Sequence, residues 1–156
     1  MNQENFSSAP AELLGPDEEV VKMVNAWTVA EPGTRERREA GRVLESAVLD
    51  LISDEDFKSL SLILETPKMH LGVKEMAGTA IVQMIVGETL SDGAMIDLVE
   101  NGKIARASQV RYAAIDKLIE KLKAGEITDQ AMLERLVTVG NTELRVEAKD
   151  VLRTRG

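Results

Sequence analysis

Nucleophilic and metal chemistry need particular side chains in particular sets, and this chain offers few of them. It has one histidine, His70, and no cysteine. His70 stands beside a helix start, with no second imidazole and no thiolate nearby in sequence. Neither a zinc site nor a histidine-based nucleophile is expected there. Carboxylates are plentiful, as in Asp54-Glu55-Asp56. At the head of a helix such a run is explained by amide capping and by the positive end of the helix dipole. The glycines are scattered at helix ends instead of being gathered in a phosphate-cradling loop. No catalytic residue, metal or cofactor is therefore expected. What does recur is a cation, at Arg37, Lys74, Arg111 and Arg145, always in the same local setting.

That setting is a helix. In Val110-Arg111-Tyr112-Ala113-Ala114-Ile115-Asp116-Lys117-Leu118 the first, fifth and ninth residues are apolar and the second is the cation. Residues four apart share one helical face, so Val110, Ala114 and Leu118 form a stripe. The arrangement repeats at Val73, Lys74, Ala77 and Ile81, and again at Leu144, Arg145, Ala148 and Leu152. A degraded copy runs through Arg37, Ala40 and Leu44, with Glu36 in the first apolar place. The copies start at 36, 73, 110 and 144, a period typical of helical repeat arrays. A second series has the same spacing, with Asp17, Asp54, Asp92 and Asp129 at the unit starts. Before two of them stand Gly87-Glu88-Thr89-Leu90-Ser91 and Gly125-Glu126-Ile127-Thr128. There Gly should end one helix in the left-handed conformation, Leu90 or Ile127 should staple, and Ser91 or Thr128 should cap the next helix.

These signals predict an all-α chain of eight helices in four pairs, with no strand. Residues 1–16 are read as a flexible lead-in, with Leu13 and Leu14 pinned on the first helix. Residues 17–156 form one repeat domain, with units at about 17–52, 53–87, 91–125 and 128–155. Aromatics make up 3% of the chain, so the core must be aliphatic. Gly41 and Gly78 directly follow the repeated Ala, where close packing against an adjacent helix accounts for them.

The period and motif resemble the HEAT-repeat family and its armadillo relatives over about Asp17 to Arg155. The resemblance implies a right-handed α-solenoid of four HEAT-like pairs. It also implies that Arg37, Lys74, Arg111 and Arg145 form a structural ladder between units. Some members of that family are enzymes acting on a bound tetrapyrrole or on alkylated DNA. The first would need a deep groove with polar ligands. The second would need a basic face, which a net charge of −8 opposes. A structural array with no ligand is the third alternative, and the unequal units speak against consensus design.

The function expected is a non-enzymatic scaffold that binds a protein segment along its second helices. If the apolar stripe faces the core, the third, seventh and tenth positions of each motif face outward. Those are Arg38, Arg42 and Glu45, then Glu75, Thr79 and Val82, then Tyr112, Asp116 and Ile119, then Val146, Asp150 and Arg153. Val82, Tyr112, Ile119 and Val146 would give an exposed apolar strip, with Glu75 and Asp116 lending an acidic tone. The partner expected is a helix or peptide offering apolar anchors and basic residues, not nucleic acid and not a membrane. The chain lacks an apolar run of membrane-spanning length, and a cytoplasmic location is the default expectation.

Overall fold

The computed structural model describes residues 15–105 and 108–155, with the side chain of Arg155 left aside. The lead-in as far as residue 14, including Leu13 and Leu14, lies outside these, as do Arg106 and Ala107 in the expected 101–107 loop. Among the described residues there are eight α-helices and no strand. They are α1 (Glu18–Val29), α2 (Arg35–Ser53), α3 (Phe57–Glu65), α4 (Leu71–Val86), α5 (Asp92–Glu100), α6 (Gln109–Lys123), α7 (Gln130–Leu136) and α8 (Thr142–Arg155). Two compact units divide the chain, the first ending at Ile81 and the second beginning at Val82, within α4.

In the first unit α1 packs on α2 and on α3, and α2 packs on α3. Asp17 caps α1 by accepting from the Glu19 N–H at 2.8 Å. Its own N–H donates to Ser59 Oγ at 2.9 Å, and that hydroxyl donates to Asp56 Oδ2 at 2.9 Å. Asp56 is the cap of α3, so one hydrogen-bonded chain ties the starts of α1 and α3 together. It also satisfies Ser59, which is fully buried. Leu44, Val48, Leu60, Ile63, Val73, Ala77 and Ile81 are buried apolar residues of this unit.

In the second unit α5 packs on α6 and α7, and α8 packs on α6 and α7. Leu90 and Ile127 are both buried at the turns that precede α5 and α7, as staples should be. Lys121, in the last turn of α6, holds Asp92, in the first turn of α5, in a half-buried ion pair at 2.5 Å. Each charge also complements its own helix dipole. Arg135 of α7 binds Glu100 at 2.6 Å and Asp97 at 2.8 Å, both on α5. The hydrogen bonds it donates to Glu100, and then to Asp97, push its pKa up still further from the ordinary guanidinium value.

The repeated stripe is a core stripe. Val73, Ala77, Ile81, Val110, Ala114, Leu118, Leu144 and Ala148 are all buried, while Leu152, near the chain end, is half-buried. The punctuation between helices differs from expectation at three points. Asp54 does not start a helix; it is the C-cap of α2, which runs one residue further than expected, and Asp56 caps α3. Asp129, not Thr128, caps α7, accepting from the Met132 N–H at 3.0 Å. Gly87 is not left-handed: Glu88 takes that conformation, with φ 61°. The ends of α2, α4 and α6 nonetheless share one geometry. Amides of Asp56, Thr89 and Glu126 donate back to Leu51, Met84 and Lys121 carbonyls at 3.0, 2.9 and 2.9 Å. Glu55 (φ 52°), Glu88 (φ 61°) and Gly125 (φ 74°) supply the left-handed residue. These are Schellman closures, and only the third uses glycine.

Candidate functional site

The seven residues expected to bind a partner are divided between the units. Glu75 and Thr79 are exposed on α4 in the first. Val82, Tyr112, Asp116, Ile119 and Val146 belong to the second. Tyr112 is 55% and Val146 51% exposed, Asp116 is exposed and Val82 is half-buried. Ile119 departs from the expectation: it is buried, at 9%. The reason lies in the width of the buried arc of α6. At ~100° per residue, Ile119 sits opposite Val110 on the helix, next to Ile115. Both isoleucines are buried, because α6 is covered by α5 and by α8. The outward stripe of α6 is narrower than assumed and runs through Tyr112, Asp116 and Glu120.

The cation series is uneven. Arg37 donates through Nη1 to the carbonyls of Trp27 and Ala30 at 2.9 and 2.8 Å, and through Nη2 to that of Lys68 at 3.1 Å. Arg145 donates to the Val139 carbonyl at 2.8 Å and to Thr142 Oγ1 at 3.1 Å. Both tie a helix to the turn before it. Lys74 is exposed, and Arg111 lines a cleft of about 440 Å³ with Glu100, Thr138 and Gly140.

A more specific constellation forms in the first unit around Trp27, the only tryptophan. Trp27 Nε1 donates to the Lys68 carbonyl at 2.9 Å, and the Arg37 guanidinium lies 3.9 Å from the centre of its ring. Lys68 has φ 58°, a left-handed conformation that presents its carbonyl to both Trp27 and Arg37. Two residues on, His70 caps the start of α4: its Nδ1 accepts from the Val73 N–H at 3.3 Å. An accepting Nδ1 leaves the proton on Nε2, which lies 2.9 Å from Glu45 Oε2 and donates to it. The two rings stand 5.5 Å apart at 54°. Between them passes Gly41 of α2. A Cβ at that position would lie 2.9 Å from His70 Cδ2 and 3.2 Å from Trp27 Cζ3. Close approach is therefore why this helix interior carries glycine, as expected.

Together Trp27, Arg37, Arg38, Gly41, Arg42, Glu45 and His70 line a surface cleft of about 350 Å³. Arg38, Arg42 and Glu45 are the outward positions of the first motif, so the row that carries Tyr112 on α6 carries two arginines on α2. Arg38 donates to the Gly33 carbonyl at 3.2 Å, and Arg42 pairs with Glu39 at 2.7 Å. The sequence held one signal of this place that went unused: Arg35, Arg37, Arg38 and Arg42 put four of the chain's ten arginines within eight residues. That the sole Trp and the sole His would join them was hidden, since Trp27 lies on α1 and His70 in the turn before α4. No family model, curated protein or solved structure matches the chain.

Proposed function

We propose that this chain is a non-enzymatic, cytoplasmic binding module built as a right-handed HEAT-like solenoid, and that it grips a protein segment on the outward face of α6 and α8. The observation that carries this reading is the exposure of Tyr112 and Val146, at 55% and 51%, on two helices that pack together. Both occupy the third position of the repeated motif. Packed helices lie ~8–10 Å apart, so side chains at equivalent positions make one apolar patch. Asp116 and Glu120 follow Tyr112 along α6, and Glu143 precedes Val146 on α8, all exposed. An aromatic anchor with an acidic rim suits a helix or extended peptide that brings apolar and basic side chains. The contacts of α5 on α7 and of α6 on α8 also support stacked helical pairs, first helix on first and second on second. No helix of the described residues is long and apolar enough to cross a membrane.

The test is site-specific photocrosslinking from position 112 and, as a control, from exposed Lys103, in cells of the native source. A discrete partner trapped from 112 alone is then titrated against the Tyr112→Ala, Val146→Ser protein. The reading predicts at least tenfold weaker binding with helix content unchanged, and weaker binding as salt rises. Unchanged affinity in the double variant overturns it.

A further inference from the structure

The cleft of the first unit has a charge opposite in sign to that of the whole chain. Three guanidiniums, Arg37, Arg38 and Arg42, line it, against one carboxylate, Glu45. Glu45 is engaged by His70 Nε2 at 2.9 Å. Among the described residues Arg37 and Arg38 donate hydrogen bonds only to backbone carbonyls, which accept them without cancelling charge. Arg42 does have a carboxylate partner, Glu39, but the two side chains are 68% and 62% exposed. Such a pair is worth little in water, and a better-placed anion can displace it.

One member of the cationic wall is organised in advance. Arg37 is fixed by three carbonyls and by the Trp27 ring. Arg38 and Arg42 are four residues apart on α2 and point to the same side. Guanidiniums bind phosphate and carboxylate through paired N–H donors, and Arg37 keeps its fixed charge beside theirs. The rest of the lining is partly apolar, made by the rings of Trp27 and His70, which are tilted 54° to each other and close in on Gly41. A volume of about 350 Å³ falls at the lower end of small-molecule sites.

We propose that this cleft binds a small organic oxyanion, a phosphate or carboxylate joined to a flat apolar ring, with the anionic group on Arg38 and Arg42 and the ring against Trp27 and His70. The site shares no residue with the Tyr112 face and does not depend on it. Trp27 is the only tryptophan in the chain and forms part of the cleft wall, so its emission reports occupancy directly.

The experiment titrates the full chain with phenyl phosphate, benzoate and inorganic phosphate, holding ionic strength constant with potassium chloride. A saturable change in Trp27 emission is expected with phenyl phosphate or benzoate, at least threefold tighter than with inorganic phosphate. Whichever of the two binds more tightly identifies the anionic group as phosphate or carboxylate. Arg38→Gln with Arg42→Gln should weaken binding tenfold or more while the melting temperature stays within about two degrees. If that double variant melts early, the Arg42→Gln protein carries the test, with at least threefold weaker binding expected. The proposal is overturned if no probe saturates, if inorganic phosphate binds as well as the ring compounds, or if the arginine variants bind like the parent.

Discussion

Gly41→Ala sets two opposing effects against each other at one atom. In a helix interior Gly costs ~1 kcal/mol relative to Ala, so the substitution alone should stabilise α2. The new Cβ, however, would stand 2.9 Å from His70 Cδ2 and 3.2 Å from Trp27 Cζ3. Carbon pairs are at their best at roughly 3.5–4.0 Å, so both rings would have to retreat. Neither can do so freely. His70 is held at Glu45 and at the Val73 amide, at 2.9 and 3.3 Å. Trp27 is held at the Lys68 carbonyl at 2.9 Å and lies under Arg37. Overpacking of this kind costs ~1–3 kcal/mol, and disturbing a hydrogen bond adds ~0.5–1.5 kcal/mol. Set against the helix gain, the sum is a net loss of roughly 0.5–3.5 kcal/mol, which in a chain of this size lowers the melting temperature by roughly 1–14 °C. Gly93→Ala provides the contrast. Its Cβ would meet nothing closer than 3.8 Å, so it should gain roughly 0.5 kcal/mol in the first turn of α5. Thermal and urea unfolding, followed by circular dichroism, measure both. In a His70→Ala background the Gly41→Ala change should lose most of its cost, because the nearest obstacle is gone. If Gly41→Ala instead stabilises the protein as Gly93→Ala does, the rings are not where they are placed here, and the cleft described around them is wrong.

Three further changes follow from local physics. Glu55 closes α2 at φ 52°, and Glu55→Gly should raise stability by ~0.5–1 kcal/mol because glycine adopts that conformation without a Cβ clash, as the urea midpoint would show. Ser61 is 7% exposed and its Oγ is buried with no hydrogen-bond partner among the described residues; Ser61→Ala should be neutral or stabilising by up to ~1 kcal/mol in the same assay, and a clear loss would mean that the hydroxyl is bonded. Ile119 is buried between covered faces of α6, so Ile119→Ser should cost ~2–4 kcal/mol of unfolding free energy, whereas Tyr112→Ala should stay within about 1 kcal/mol; equal effects would return Ile119 to the surface.

The parts of this molecule that were legible in the sequence depend on nearest neighbours along one helix. Val110, Ala114 and Leu118 show the centre of a buried stripe, because burial selects apolar residues at helical spacing wherever the stripe recurs. The width of the stripe is another matter: it is set by how many helices pack around α6, and Ile119 was misplaced for that reason. Helix starts were legible to within a few residues. Asp17 and Ser91 cap as their types and positions suggest. Asp54 does not, since α2 continues through Ser53 and reverses at Glu55, leaving Asp56 as the next carboxylate able to reach a free amide, that of Ser59, at 3.2 Å. A glycine just past a helix was no better guide, for at the end of α4 Glu88 takes the left-handed turn with Gly87 beside it. The cleft was the least legible part. Its wall joins Trp27, Arg37 and His70, and what brings the two rings together is the missing Cβ of Gly41, a close approach that depends on three elements at once. A sequence period shows that helices repeat and which rows face outward, but not what gathers around a unit whose row carries cations instead of apolar residues. Here that unit is the first, where the positions equivalent to Tyr112 and Asp116 are Arg38 and Arg42. The repeated stripe made the helices legible, and the place where the outward row turns cationic is the place where the cleft of Trp27 and His70 forms.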